Sequence, residues 1–134
     1  MTGPVIYLDT SALAKLVLPE PESFELARFL ESWPSRMASV IARVELLRAA
    51  KREAQPPNIL ARARAVLGRV VLVPLDPAVV SEASAVEPAN LRTLDAIHLA
   101  TALSIREGLA GMVTYDRRLA DAARRAGLTV WSPR

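Results

Sequence analysis

Apolar runs of strand length alternate with helix-period patterns along the whole chain, the arrangement that yields an α/β domain built on a mostly parallel sheet. Five runs read as strands: Val5–Leu8, a short one near Met37–Ser39, Val70–Val73, Met112–Tyr115 and Thr129–Trp131. Between them the spacing predicts helices near Ser11–Leu18, Glu22–Glu31, Val40–Glu53, Asn58–Leu67, Ala78–Ala85, Leu94–Glu107 and Arg117–Ala126. Pro19 and Pro21 part the first two helices, Pro56-Pro57 parts the third from the fourth, and Gly108, Gly111 and Gly127 are expected at helix ends. With no repeat, linker or low-complexity tract, the expectation is one domain over residues 1–134, layered α/β/α around about five strands.

The first strand, in "VIYLDTSALAKL", is apolar through Leu8 and then meets a carboxylate, Asp9. The pattern returns in "GMVTYDRRLADAARRAGL", where an apolar run leads to Asp116 and a new helix. In a parallel sheet every strand ends on the same edge, so Asp9 and Asp116 are expected to share the crevice where such folds bind ligands. Each has a plainer alternative, since aspartate is a favoured helix N-cap; for Asp9, the adjacent Thr10 and Ser11 would cap equally well. Asp76, before Pro77, is read as a cap alone.

Two further acids sit inside apolar helical sequence, where an unpaired charge is costly. Glu45 lies in "SVIARVELLRAA", with an exposed pair to Arg48 as its plain alternative. Asp95 opens "LDAIHLATALSI", a helix apolar on all sides and so expected to be buried, where a first-turn acid can also simply answer the helix dipole. Four carboxylates in one crevice would repel and raise each other's pKa unless a cation compensated them. Zero cysteines and a single histidine point away from zinc and toward a hard, oxygen-seeking ion, Mg²⁺ or Mn²⁺. That donor set suggests phosphodiester hydrolysis.

Charge adds to this picture. The formal net charge is +3 with a pI near 9.9, and of 17 basic residues only Lys15 and Lys51 are not arginine. Reserving four of the 14 acids for a site leaves the remainder well outnumbered by bases, which suits a negative pocket ringed by groups that attract a phosphate backbone. No run is long enough to cross a membrane, and Met1-Thr2-Gly3-Pro4 has no positive leader, so the expectation is a cytoplasmic protein without membrane contact.

In order along the chain, "YLDTSAL", Glu45 in "ARVELLRA", "LDAIHLATA" and "VTYDRRLADAARRAGL" resemble the PIN domain, and within it the VapC-type toxins of prokaryotic toxin–antitoxin pairs. The resemblance spans essentially the whole chain. It implies a catalytic set of Asp9, Glu45, Asp95 and Asp116, with Asp9, Asp95 and Asp116 on Mg²⁺ or Mn²⁺ and Glu45 orienting a water or a second metal. Ser11 or Thr114 would be the small hydroxyl that bonds the acids or the ion's water. It further implies an endoribonuclease acting on RNA, a homodimer, and a VapB-like antitoxin that wraps the toxin and provides its only link to DNA. Some relatives carry a further acid just after the fourth, where Arg117 and Arg118 stand here, leaving a second metal open.

His98, three residues after Asp95, is read as a structural hydrogen-bonding residue, not as a base. Trp33 and Trp131 are expected to pack instead of stacking on bases. Phe24, Leu26, Phe29, Leu30 and Trp33 form one apolar face divided between core and antitoxin groove. Other functions fit less well: an aspartyl phosphatase needs an acid where Ser11 stands, a phospho-receiver needs an acid pair and a late lysine, and a flap nuclease needs more chain. A silent PIN fold serving only as an interaction module is the alternative to an enzyme.

Overall fold

The computed structural model describes residues 3–53 and 57–134; Met1, Thr2 and, from the expected Pro56-Pro57 break, Pro56 lie outside the described residues. Strand β1 is Val5–Leu8, and all four of its residues are buried. It is followed by α1 (Thr10–Val17), α2 (Ser23–Leu30), β2 (Arg36–Ser39), α3 (Val40–Arg52), α4 (Ile59–Leu67) and β3 (Val71–Val73). The second half adds α5 (Pro77–Ala85), α6 (Thr93–Ser104), a 3₁₀ turn at Arg106–Gly108, β4 (Leu109–Val113), α7 (Arg117–Arg125) and β5 (Val130–Trp131).

All strand pairs are parallel and the order is β3-β2-β1-β4-β5. The chain therefore builds outward from β1 to β3, then returns to lay β4 on the other side of β1. That reversal puts a topological switch point between the ends of β1 and β4, where open α/β sheets form ligand crevices.

Alternation along the central strand feeds two cores. Ile6 and Leu8 enter a core with α1 to α4, including Leu13, Leu26, Leu46 and Leu67. Tyr7 faces the opposite way, into a second core with Leu99 of α6 and Leu119 of α7. The α/β/α layering expected from the sequence is thus present, with helices on both faces. Buried residues occupy most of α6, from Ala96 to Leu103, as its all-round apolarity predicts.

Capping explains where the helices begin and stop. Asp76 accepts from the Val79 amide with Pro77 in the first turn, as expected. Helix α7 ends on Gly127 at φ +95°, with the Leu128 amide donating to Ala123 and the Gly127 amide to Arg124, the paired closure that a glycine permits.

One expectation needs correction. Gly111 does not end a helix: β4 starts at Leu109, three residues earlier than the sequence suggests, and Gly111 lies inside it. The reason is steric. A Cβ at Gly111 would meet the Trp131 ring at 2.5 Å and the Thr129 carbonyl at 2.6 Å, so the missing side chain lets β5 close on β4. The strand stops at Val113, two residues before the expected end, and Thr114 and Tyr115 form the link to Asp116. The apolar face of α2 divides between buried and exposed side chains. Leu26 and Leu30 are buried, while Phe29 and Trp33 pack with Trp131, ring centroids 5.4 Å apart for each pairing with Trp131; Phe24 stands apart, 70% exposed.

Candidate active site

Asp9 follows the last residue of β1 and is 3% exposed. It is both cap and crevice acid: Oδ1 accepts from the Ala12 amide at 2.9 Å and from Ser11 Oγ at 2.7 Å, while Oδ2 accepts from Thr114 Oγ1 at 2.6 Å. The two hydroxyls also cross-brace the strand ends, since Ser11 Oγ accepts from the Tyr115 amide and Thr114 Oγ1 from the Asp116 amide. Ser11 Oγ also lies 2.9 Å from Oδ2, so three donors make four contacts with this carboxylate. Burial pushes its pKa up, against the pull of those donors.

Asp95 lies in the first turn of α6. Its Oδ2 is, among the described residues, the one buried side-chain polar atom without a hydrogen-bond partner. Arg92 Nε at 3.6 Å is close enough for an ion pair but too far for a hydrogen bond. Burial raises the Asp95 pKa first, the charge of Asp116 next, and Asp9 adds to this; Arg92 and His98 oppose the rise. These acids therefore act on one another electrostatically.

Asp116 caps α7, with Oδ1 accepting from the Leu119 amide at 3.1 Å, and its Oδ2 accepts from Arg92 Nη2 at 3.2 Å. Arg92 thus spans Asp95 and Asp116 as the cation already between them, a role absent from the sequence reading although its i,i+3 spacing to Asp95 was visible.

Glu45 does not pair with Arg48. It points across to α1 and α6, where Oε1 accepts from Thr10 Oγ1 at 2.5 Å and from His98 Nε2 at 2.9 Å. Burial alone would raise its pKa; the hydrogen bonds from His98 and Thr10 hold it below its ordinary value. His98 is buried and also bonds Tyr7 Oη through Nδ1 at 2.7 Å, in keeping with its expected hydrogen-bonding part. Thr10 and Tyr7 are the other participants that sequence reasoning passed over, because neither spacing nor type marks them.

Among the described residues no three acid or histidine side chains close on one point tightly enough to form a ready metal cage. The donors nonetheless fit a hard cation. They are all oxygen, Asp95 Oδ2 is buried without a hydrogen bond, and Mg²⁺ is commonly held by only one or two carboxylates, with water and phosphate filling the rest. Arg117 and Arg118, exposed directly after Asp116, flank the acids with positive charge. Such an arrangement suits a cation-assisted reaction on a phosphate ester.

Comparison with known proteins agrees with this architecture. The chain matches the PIN domain family over residues 6–125. It is 42% identical over 133 residues to Ribonuclease VapC47 of Mycobacterium tuberculosis, covering 96% of this chain and 97% of that one. It is also 41% identical over 128 residues to Ribonuclease VapC46 of the same organism, with the same coverages. A toxin-antitoxin complex from Klebsiella pneumoniae contains a chain of similar structure, with a TM-score of 0.73 at 25% identity, covering 96% of this chain and 98% of that one. Sequence motifs, sheet order and these relatives together show that the chain belongs to the PIN-domain family, among its VapC-type ribonucleases.

Proposed function

We propose that the chain, as a single PIN domain over residues 1–134, is the toxin of a toxin–antitoxin pair and a Mg²⁺- or Mn²⁺-dependent endoribonuclease that hydrolyses RNA phosphodiester bonds. The observation that carries this reading is Asp95 Oδ2, buried without a hydrogen-bond partner and in the field of Asp116 and Asp9, with only the long ion pair to Arg92 to answer it. A fold that keeps such an atom without a hydrogen bond has a use for an external cation.

Asp9, Asp95 and Asp116 would hold the ion. When bound, a divalent cation makes a water more acidic and offsets the charge that gathers on the attacked phosphate. Ser11 and Thr114 fix the Asp9 carboxylate through their hydroxyls, so that it need not reorganise when charge develops. Glu45 orients the attacking water. Arg92, which bridges Asp95 and Asp116, would give up these contacts to a bound cation and, with Arg117 and Arg118, would attract the RNA backbone.

The partner in this reading is a VapB-like antitoxin, DNA being met only through it; the toxin itself is a cytoplasmic homodimer. Similarity to a chain of a toxin-antitoxin complex supports the partner class. Expression of the chain alone is expected to arrest growth, co-expression of its antitoxin to relieve the arrest, and Asp9→Asn to be harmless. Equal toxicity of wild type and Asp9→Asn would overturn catalysis as the cause.

A further inference from the structure

His98 is buried at the middle of α6, one turn beyond Asp95, yet its ring is bonded on both sides by other elements. On one side Tyr7 of β1 lies edge-on to it, centroids 6.0 Å apart, with Oη 2.7 Å from Nδ1. On the other side Nε2 is 2.9 Å from Glu45 Oε1 of α3 and 3.2 Å from Thr10 Oγ1 of α1. Four elements of the fold thus meet at one imidazole.

The donor and acceptor inventory settles the direction of this chain. An ionised Glu45 can only accept, so Nε2 must carry a proton toward it. In a neutral ring Nδ1 is then an acceptor, and the Tyr7 hydroxyl donates to it. Tyr7 is suited to that part, because burial keeps it a phenol, as do the nearby charges of Asp9 and Glu45. Thr10 donates to the same Glu45 oxygen. Oε1 is therefore held by two donors from two elements, whereas Oε2 has no protein partner and is not among the buried atoms of the described residues.

We propose that Tyr7 and His98 are positioning residues for RNA hydrolysis: Tyr7 sets the tautomer of His98, and His98 with Thr10 clamps Oε1 of Glu45, so that Oε2 alone is left free to orient the attacking water. The proposal rests on the nuclease reading and adds the device that aims its water. A free glutamate samples several rotamers and would present either oxygen; the clamp removes that freedom before substrate arrives. Because His98 shares α6 with Asp95, the same contact also fixes Glu45 relative to that acid.

His98 is the only histidine in the chain, so one imidazole spin system reports on the clamp without assignment. In the full-length protein, ¹⁵N-resolved NMR of the ring is expected to show the Nε2–H tautomer, and Tyr7→Phe to mix the two tautomers while retaining the fold. In steady-state RNA cleavage, His98→Leu is expected to lower kcat by about 10- to 100-fold with KM unchanged, the usual scale for a group acting through another. His98→Gln, which keeps a donor near Nε2, should recover much of the loss. In a Glu45→Gln background His98→Leu should cause no further loss, since the clamped group is gone. An Nδ1–H tautomer in wild type would overturn the clamp, as would equal losses from His98→Leu with and without Glu45. If wild type cleaves no RNA, the nuclease reading fails and the catalytic role with it; cleavage by wild type and His98→Leu alike overturns the clamp alone.

Discussion

Asp95→Asn is expected to make the protein more stable and nearly inactive at once. In the fold, this carboxylate is partly desolvated, repelled by Asp116 and Asp9, and left with Oδ2 unbonded. A neutral amide of the same shape escapes the repulsion and most of the desolvation cost. In divalent-free buffer the gain should be about 1 kcal/mol, which for a chain of this size raises Tm by roughly 4 °C. RNA cleavage should fall by about a thousandfold, because several kcal/mol of charge stabilisation disappear with the ligand.

The sign of the pH dependence follows from the raised pKa. A carboxyl raised by folding contributes stability that is fully present below its unfolded value and is lost as pH rises through the folded one. The advantage of Asp95→Asn is therefore absent in acid and grows toward neutrality. Adding Mg²⁺ should shrink it, since an ion that binds the folded wild type stabilises that state. Thermal melts across pH, with and without Mg²⁺, measure this; an Asn variant less stable than wild type at neutral pH would refute the account of Asp95.

Gly111→Ala is expected to be the most damaging single methyl in the sheet. Its Cβ would stand 2.5 Å from the Trp131 ring and 2.6 Å from the Thr129 carbonyl. The carbonyl cannot retreat, because it accepts the Met112 amide that pairs β5 to β4. Nor can the ring move freely, as it packs against Phe29 and Trp33. Overpacking of this kind costs about 2–3 kcal/mol, corresponding to a fall in Tm of roughly 10 °C. Tryptophan fluorescence should shift as Trp131 is displaced. An unchanged Tm and spectrum would show that the β4–β5 contact yields easily.

Periodicity made the layered α/β order and the strand count legible, because β1 and most of α6 are buried and read as apolar runs. The start of β4 was hidden for a local reason: Leu109-Ala110-Gly111 looks like turn punctuation, and only the approach of Trp131 explains a glycine there. In the crevice, acids were conspicuous in the sequence because charge is costly within apolar segments. Their neutral partners were not. Tyr7, Thr10 and Arg92 are ordinary residue types whose importance depends on which elements the sheet order brings together. The Arg48 pairing failed for a similar reason, since tertiary donors on α1 and α6 outcompete an exposed i,i+3 contact for Glu45.

The measurement that bears most directly on the central claim is RNA cleavage by one sample of antitoxin-free protein, stripped of divalent cation and then resupplied. The account predicts cleavage in Mg²⁺ or Mn²⁺, its loss in EDTA, its return on adding the ion in excess, and no activity from Asp9→Asn under any of these conditions. Cleavage that persists in EDTA, or that Asp9→Asn retains, would contradict a carboxylate-held cation as the seat of the reaction.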